Sequence, residues 1–295
     1  MTLNLVIIGE TGQLARALKR VSQSAGYKAT TLNRAALDLT WDESRISKVI
    51  ASLPPSIDAV ILAAGYTAVD AAETDEQSAF AVNGAAPEFI AKACAARDLP
   101  LVHISTDYVF NGRASTPYKP EDRPDPINAY GRSKLAGEIA VRETQVRHII
   151  LRTSWVFDGV GANFLTSMLR LGQSHSELTI VDDQIGRPTY AGHLAEAILH
   201  AVVHLSQDKD FKGGTYHVTG NGEPVSWAGF AKAIFRETSS EFGKLIKVKG
   251  IPSADYPTRA ERPQYSVLDI SAFEQTIGYS MPNWREGLIA ALAER

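Results

Sequence analysis

The feature that most constrains the fold of this chain is a regular alternation of short apolar runs with longer helical patterns along its first two thirds. Runs typical of buried parallel strands lie at residues 5–8, 27–32, 58–63, 101–105 and 148–153. Helical patterns lie between them, at 13–24, from 42 to the prolines at 54 and 55, at 73–97 and at 129–143. This order predicts an α/β fold, a Rossmann-like doubly wound parallel sheet that binds ligands outside the carboxyl ends of its strands.

The pattern becomes less regular after Phe157. There the sequence predicts helices at 163–171, 191–205, 227–237 and 283–293, and short strands at 178–181 and 214–218. No clean linker or repeat separates the two parts. We therefore predict a Rossmann domain over 1–157, with part of 190–220 returning to it, and a smaller, partly interleaved α/β lobe over 158–295.

Composition excludes several classes of protein. The 295 residues include 30 basic and 33 acidic side chains, a net charge of −3, so no broad cationic field favours nucleic acid or membranes. No apolar run reaches the roughly 18 residues of a membrane span, and the first residues lack the positive charge of a signal peptide. A single cysteine, Cys94, excludes an internal disulfide and a cysteine metal cluster. From composition we expect a soluble, cytoplasmic globular protein.

A turn containing two glycines, Gly9-Glu-Thr-Gly12-Gln-Leu-Ala15, joins the first predicted strand to the first helix. Glycines let the backbone approach a pyrophosphate closely, and the helix N-terminus offers free N–H groups to it. Many purely structural turns share this pattern, so its position directly after an apolar strand carries the argument. The turn predicts that the 1–157 domain binds NAD(P).

The end of the second strand indicates which nicotinamide cofactor is bound. It reads Asn33-Arg34, whereas a lone acidic residue would pair with a free ribose 2′-hydroxyl and repel a 2′-phosphate. Asn33 removes that repulsion, and Arg34 carries the charge to pair with the phosphate. The sequence favours NADPH with NADH possible, although a solvated loop role for Arg34 is an equally good reading.

Tyr130-Gly-Arg-Ser-Lys134 places a phenol and an ammonium four residues apart on one helix face. A cation near the phenol stabilises its ionised form and moves the pKa of the tyrosine towards working pH, which suits proton transfer at a substrate oxygen. This spacing alone is common by chance. Thr106, directly after the fourth strand, adds a hydroxyl that can orient a substrate carbonyl, or that simply caps a turn.

Several longer motifs resemble one family, the dTDP-4-dehydrorhamnose reductases of the extended short-chain dehydrogenase/reductases. The resemblance covers nearly the whole chain and rests on Gly9-x-x-Gly12-Gln13-Leu14, Ala63-Ala64-Gly65-Tyr66-Thr67-Ala68-Val69-Asp70, Ser105-Thr106-Asp107-Tyr108-Val109-Phe110, Tyr130-x-x-x-Lys134-Leu135-Ala136-Gly137-Glu138, Arg152-Thr153-Ser154-Trp155-Val156, Asp183-Gln184-x-Gly186-x-Pro188-Thr189 and Arg262-Pro263-x-x-Ser266-x-Leu268. It implies NADPH-dependent reduction of the C4 ketone of a dTDP-sugar to dTDP-L-rhamnose.

The resemblance also implies a role for each site residue. Tyr130 is expected to be the proton donor, Lys134 its activator and a ligand of the nicotinamide ribose, and Thr106 the orienting hydroxyl. The expected cofactor-binding residues are Gly9, Gly12, Gln13, Leu14, Asn33, Arg34, Asp38, Leu39, Gly65, Tyr66, Thr67, Tyr130 and Lys134. The expected substrate-binding residues are Thr106, Asp107, Trp155, Arg187 and Arg262, the two arginines because a diphosphate needs cations.

Other activities of the superfamily fit the sequence less well. Dehydratases carry Thr-Asp-Glu where this chain has Thr106-Asp107-Tyr108, and epimerisation with reduction needs a Cys/His pair, whereas Cys94 lies in a predicted helix away from the site. Another nucleotide-sugar 4-ketoreductase and a catalytically silent NADP-binding regulatory subunit remain as alternatives. The intact Tyr130 and Lys134 disfavour the silent subunit.

No metal site is expected. His193, His200 and His204 share roughly one helix face, but no glutamate lies between the last two as in a zinc motif. Some family members form a magnesium-linked dimer through glutamates. The corresponding region here, 15–18, has no carboxylate, so a monomer or a helix-packed homodimer is expected. Trp227 and Trp284, near helix starts, are expected in the core.

Overall fold

The alternating apolar segments form one six-stranded sheet in the computed structural model, which describes residues 2–144 and 146–295. Numbered along the chain, its strands are β1 (Asn4–Ile8), β2 (Lys28–Leu32), β3 (Ala59–Leu62), β4 (Leu101–Thr106), β5 (His148–Thr153) and β10 (Gly213–His217). All neighbours are parallel, in the order β10-β5-β4-β3-β1-β2. The order changes direction between β1 and β3, where sheets of this type bind ligands. The predicted Rossmann-like α/β fold is confirmed.

Helices cover both faces of this sheet. One face buries apolar side chains of α1 (Gln13–Ser24), α8 (Ala191–Gln207) and α11 (Ser271–Ile277). The other face buries those of α2 (Glu43–Ala51), α5 (Ala86–Ala95) and α6 (Ala129–Glu143). Because both faces are covered, β1 and β3 are apolar at almost every position, as the sequence indicated.

The helix predicted over 73–97 differs from what the structure contains. A short helix, α3 (Val69–Ala72), comes first, and α4 (Glu76–Phe80) then begins at an Asp75 cap whose side chain accepts from the Ser78 N–H. A π-helical turn, Ala81–Ala85, joins α4 to α5. Such turns insert one extra residue into a helix and cluster at functional sites. A pattern of 3.6-residue periodicity does not reveal the extra residue.

The rest of the chain forms a smaller layer beside the sheet. Its elements are β6 (Val156–Phe157), α7 (Phe164–Ser174), β7 (Glu177–Val181), β8 (Ile185–Gly186), β9 (Thr189–Tyr190), β11 (Val225–Ser226), α9 (Trp227–Glu237), α10 (Ser239–Phe242), β12 (Lys247–Ile251) and α12 (Trp284–Ala293). Short pairs β6–β9, β8–β11 and β7–β12 connect them. Their aromatic core includes Phe157, Phe230 and Trp284. The sequence did not predict β12 or α11. None of the described helices is long and apolar enough to cross a membrane.

Candidate active site

A cavity of about 1150 Å³ lies at the carboxyl ends of the central strands, where the strand order changes direction between β1 and β3. Most of the site residues predicted from the sequence line it: Gly9, Gly12, Gln13, Leu14, Asn33, Arg34, Asp38, Leu39, Gly65, Tyr66, Thr67, Thr106, Asp107, Tyr130, Lys134 and Trp155. These residues span positions 9–155, and the fold brings them to one edge. Arg187 and Arg262 are not among the lining residues.

The glycine turn has the geometry that a pyrophosphate requires. Gly9 has a φ of +122°, a conformation that favours glycine, and no heavy atom lies within 4 Å of where a Cβ of Gly12 would be. Gly12 also precedes α1 without any side-chain cap, so the first N–H groups of this 12-residue helix are free for a ligand. The Oε1 atom of Gln13 is buried without a partner. These features fit a dinucleotide cofactor.

At the end of β2, the expected 2′-phosphate site contains charges of both signs. Arg34 is 81% exposed, and its Nε atom donates to Asp38 Oδ2 at 3.0 Å. A hydrogen bond from the backbone of Thr40, together with the Arg34 contact, lowers the pKa of Asp38, which is therefore ionised. Glu10, which sequence reasoning did not consider, accepts a hydrogen bond from Thr31 at 3.3 Å. Asn33 caps the following turn by accepting from the N–H groups of residues 35 and 36.

The tyrosine and lysine lie at the start of α6, which Asn128 caps by accepting from the Gly131 N–H at 2.8 Å. Burial raises the pKa of Tyr130 to about 12, against a hydrogen bond to Thr106 that lowers it. Burial also lowers the pKa of Lys134 to about 8, against the attraction of Glu138. The Lys134 ammonium donates to the Ile104 carbonyl at 2.6 Å.

These values refine the expected proton chemistry. The sequence argument expected Lys134 to lower the pKa of Tyr130, but in the protein without ligands burial outweighs every other influence on the phenol. A phenol with a raised pKa keeps its proton at neutral pH. Tyr130 is thus suited to giving a proton to a developing alkoxide.

Thr106 and Asp107 end β4 beside Tyr130. Thr106 donates to Asp107 Oδ1 at 3.0 Å and also accepts from the Tyr108 N–H at 3.2 Å, so it both caps a turn and lines the cavity. Asp107 is 2% exposed, and its Oδ2 atom has no hydrogen-bond partner. Burial raises the pKa of Asp107 to about 6, in spite of the hydrogen bond from Thr106. The free oxygen can accept a hydrogen bond from a ligand hydroxyl.

A buried ion pair that the sequence did not reveal supports this end of the sheet. Glu138, one turn after Lys134, receives two hydrogen bonds from Arg152 of β5, at 2.9 and 2.7 Å. Ser105 donates a third at 2.6 Å. Burial alone would raise the pKa of Glu138, but Arg152 and Ser105 hold it below its usual value. The pair connects α6 to β4 and β5.

Asn83 is a second residue that sequence reasoning missed. It lies in the π-helical turn, is 1% exposed, and holds the backbone of Tyr66 at both sides: its Oδ1 accepts from the Tyr66 N–H and its Nδ2 donates to the Tyr66 carbonyl, each at 2.9 Å. Nδ2 also donates to Ser133 of α6 at 3.0 Å. A Cβ at Gly137 would lie 2.1 Å from the Asn83 carbonyl oxygen, so this glycine allows the close approach. Asn83 therefore fixes the 65–67 loop relative to α6.

The two arginines predicted to bind diphosphate lie outside the cavity lining. Arg262 forms two hydrogen bonds to Asp70, at 2.6 and 3.2 Å, and this carboxylate neutralises it. Arg187 is half-buried; it donates to the Leu268 carbonyl at 3.2 Å, and its Nε atom is buried without a partner. Their substrate contacts stay predictions.

The three histidines of α8 contact aromatic rings. His193 packs edge-on against Tyr190, His200 stacks on Tyr279, and His204 packs edge-on against Phe211. Within the described residues, no group of three or more histidine, cysteine or acidic side chains is placed to hold a metal ion. In the region 15–18, where some family members carry the glutamate of a magnesium-linked dimer, Arg16 instead pairs with Asp158 at 3.0 Å.

The fold and this cavity define a class: an NAD(P)-dependent oxidoreductase of the short-chain dehydrogenase/reductase type, with a tyrosine one helical turn from a lysine. Comparison with known proteins narrows the class. The family model described as "RmlD substrate binding domain" matches residues 3–295. The chain belongs to this family, the dTDP-4-dehydrorhamnose reductases, which confirms the resemblance identified from the sequence.

Individual relatives match over nearly their full lengths. The dTDP-4-dehydrorhamnose reductase of Sinorhizobium fredii is 41% identical over 286 residues, which is 96% of this chain and 95% of that protein. That of Aggregatibacter actinomycetemcomitans is 39% identical, over 98% of this chain and 99% of the relative. A crystal structure of the Bacillus anthracis dTDP-4-dehydrorhamnose reductase in complex with NADP is 34% identical, with a TM-score of 0.90 and 100% coverage of both chains.

Proposed function

We propose that this protein reduces the C4 ketone of dTDP-4-dehydro-6-deoxy-L-mannose to dTDP-L-rhamnose with NADPH, or less efficiently NADH, as the last step of dTDP-rhamnose synthesis. The observation that carries the proposal is the position of Tyr130 and Lys134 in the cavity that the glycine turn opens. The relatives named for this activity support the choice of substrate. The reaction uses small cytoplasmic metabolites, so we place the protein in the cytoplasm.

In this proposal, the 1–157 domain binds the cofactor and the 158–295 lobe closes over the nucleotide sugar. NADPH, when bound, supplies the hydride that adds to C4. Gly12, Gln13 and Leu14, which line the cavity at the N-terminus of α1, would hold its pyrophosphate, and the 65–67 loop would contact its ribose and phosphates. Lys134 would bind the nicotinamide ribose.

The side chains around Tyr130 then complete the reaction. The Thr106 hydroxyl turns from Asp107 to donate a hydrogen bond to the C4 oxygen and orient the ketone, while Tyr130 gives its proton to the same oxygen as negative charge develops there. The Lys134 ammonium stabilises the phenolate that remains. The free Oδ2 of Asp107 accepts a hydrogen bond from a sugar hydroxyl.

The direct test is to mix the purified protein with the 4-keto sugar nucleotide and NADPH, follow the loss of NADPH absorbance and identify the product. We expect dTDP-L-rhamnose in an amount equal to the NADPH consumed. A different reduced sugar would indicate another nucleotide-sugar 4-ketoreductase. If NADPH binds but is not oxidised, the protein is the silent regulatory subunit instead.

Cofactor preference gives a second prediction. Removing the guanidinium in Arg34→Ala should lower kcat/KM for NADPH by about 10- to 150-fold and leave kcat/KM for NADH nearly unchanged, because a charge-assisted hydrogen bond to phosphate contributes about 1.5–3 kcal/mol. Fluorescence titration should show the same selectivity: the Kd for NADPH should rise by a similar factor, and the Kd for NADH should stay nearly unchanged. The matched control is Arg45→Ala, which removes an arginine that lies over Trp41 and outside the cavity. An unchanged ratio of kcat/KM for NADPH to kcat/KM for NADH would mean that Arg34 does not bind the 2′-phosphate.

The pH dependence gives a third prediction. The ionised carboxylate of Asp107 accepts a stronger hydrogen bond from a sugar hydroxyl than the protonated acid does, and Lys134 must be protonated, so kcat/KM for the sugar should fall below pH about 6 and above pH about 8. The amide of Asp107→Asn does not gain a proton as the pH falls, so this variant should keep the alkaline limb and lose the acidic one, at a lower overall rate. An acidic limb that persists in Asp107→Asn would assign it to another group.

A further inference from the structure

Two of the sequence motifs, 152–156 and 183–189, are in contact around Trp155, although only the first of them lines the cavity. The Ser154 hydroxyl donates to the Arg187 carbonyl at 2.8 Å, and the Thr189 N–H donates to the Trp155 carbonyl at 3.2 Å. The segment 183–189 therefore lies directly against the segment 152–156. Trp155 is an expected substrate contact, whereas in the second motif only Arg187 was expected to bind the substrate, and Arg187 does not line the cavity.

The backbone of Trp155 is in an uncommon conformation. Its φ is +49°, in the left-handed region, which side chains with a Cβ rarely adopt and which costs free energy. Non-glycine residues persist in this region only where surrounding contacts impose it, and such residues cluster at functional sites. Contacts around the Trp155 indole must therefore hold this conformation.

Trp227, the first residue of α9, packs on the Trp155 indole. The two rings are parallel within 8°, with centroids 3.5 Å apart. From another direction, Gly186 approaches the same ring so closely that a Cβ there would lie 2.8 Å from Trp155 Cε2. Trp155 lines the cavity beside Tyr130, and Trp227 does not. Any effect of Trp227 on a ligand in the cavity thus acts through Trp155.

The position of Trp227 is itself fixed by the second motif. Residues 225 and 226 pair with Ile185 and Gly186 in the β8–β11 ladder, and the Ser226 side chain caps α9 by accepting from the Gly229 N–H at 2.9 Å. Ser226 also bonds to Asp182. The start of α9 and the strand that carries Gly186 thus form one unit around the Trp155 ring.

We propose that Trp227 is a positioning residue for the nucleotide sugar: it stacks on Trp155, holds that indole in its left-handed backbone conformation, and so sets how tightly the cavity binds the thymidine diphosphate sugar. This inference rests on the proposed function for the identity of the ligand. It assigns the 183–189 motif a role, which is to press Gly186 against the same ring. The sequence expected Trp227 in the core, and the structure places it half-buried, in contact with a cavity residue.

The test uses dTDP as a probe, because its binding requires no turnover. We expect Trp227→Leu, in protein saturated with NADPH, to weaken dTDP binding in calorimetry by about three- to tenfold, the range that an aromatic pair contributes. The KM for the 4-keto sugar should rise by a similar factor, and the Kd for NADPH should stay unchanged. Trp227→Phe keeps a ring for stacking and should recover most of the loss. Gly186→Ala should weaken dTDP binding too, since it displaces Trp155 from the other direction.

A spectroscopic measurement reports on the stack itself. Two parallel indoles in contact give an exciton couplet in circular dichroism, which we expect in the wild type and in the control Trp41→Leu, and which Trp227→Leu should lose. If Trp227→Leu binds dTDP as tightly as the wild type does, the proposal is wrong. If the wild type binds dTDP with the couplet intact but does not reduce the ketone, the proposed function fails, and weaker dTDP binding by Trp227→Leu still supports the positioning role.

Discussion

Replacing Tyr130 by phenylalanine should lower kcat by about 10²- to 10⁴-fold, the usual contribution of a general acid, and leave the Kd for NADPH nearly unchanged. The phenol is the group with a proton to give at neutral pH, because burial raises its pKa to about 12. Phenylalanine keeps the ring, which packs edge-on against Tyr108 with centroids 5.6 Å apart, so the fold should be unaffected. Single-turnover reduction of the 4-keto sugar, with NADPH titrated separately, gives both quantities.

Tyr108 provides the matched control. It is the ring neighbour of Tyr130 but does not line the cavity, so Tyr108→Phe also removes a buried phenol without removing the proposed proton donor. We expect its kcat to stay within about tenfold of the wild type, well above that of Tyr130→Phe. If Tyr130→Phe kept more than about a tenth of the wild-type rate, the proton would come from another group.

The sequence was sufficient where the determinants are local. The residues 129–143 were predicted as a helix and form α6, because an asparagine cap and the spacing of its apolar positions both lie within the segment. The position of the glycine turn and the ends of the strands were also predicted from local sequence. Parallel strands expose their carboxyl ends at one edge, so residues far apart in sequence but each at a strand end converge on the same cavity.

The sequence was insufficient where a contact joins distant segments. Asn83 holds Tyr66 only because a π-helical turn redirects it, and no periodicity predicts that turn. Arg262 was predicted to face a diphosphate because it is a cation in a late loop, yet the fold places it against Asp70, 192 positions away. A cation's partner depends on the tertiary structure, which a single sequence does not specify.

The pair Glu138–Arg152 is such a tertiary contact, and it leads to the largest expected change in stability. Glu138→Gln should lower the free energy of unfolding by about 3–5 kcal/mol, because it leaves the Arg152 guanidinium, 2% exposed, without its counter-charge. Urea unfolding should show a lower midpoint at an unchanged m-value. The control Glu76→Gln breaks a surface pair with Arg132 and should cost about 0–1 kcal/mol.

This loss of stability should come from the charge of Glu138 and not from its shape. Changing the pH distinguishes the two effects, because only the charge titrates. The folded protein holds the pKa of Glu138 below its ordinary value of 4.5, so its contribution is present above that pH and is lost as the pH falls through the lowered value. The stability difference between wild type and Glu138→Gln should therefore shrink in acid. The double variant Glu138→Leu/Arg152→Met, which removes both charges, should recover much of the loss because no buried charge then lacks a partner. A double variant as unstable as Glu138→Gln would mean that packing around Ser105 and α6, and not the ion pair, sets the stability of this end of the sheet.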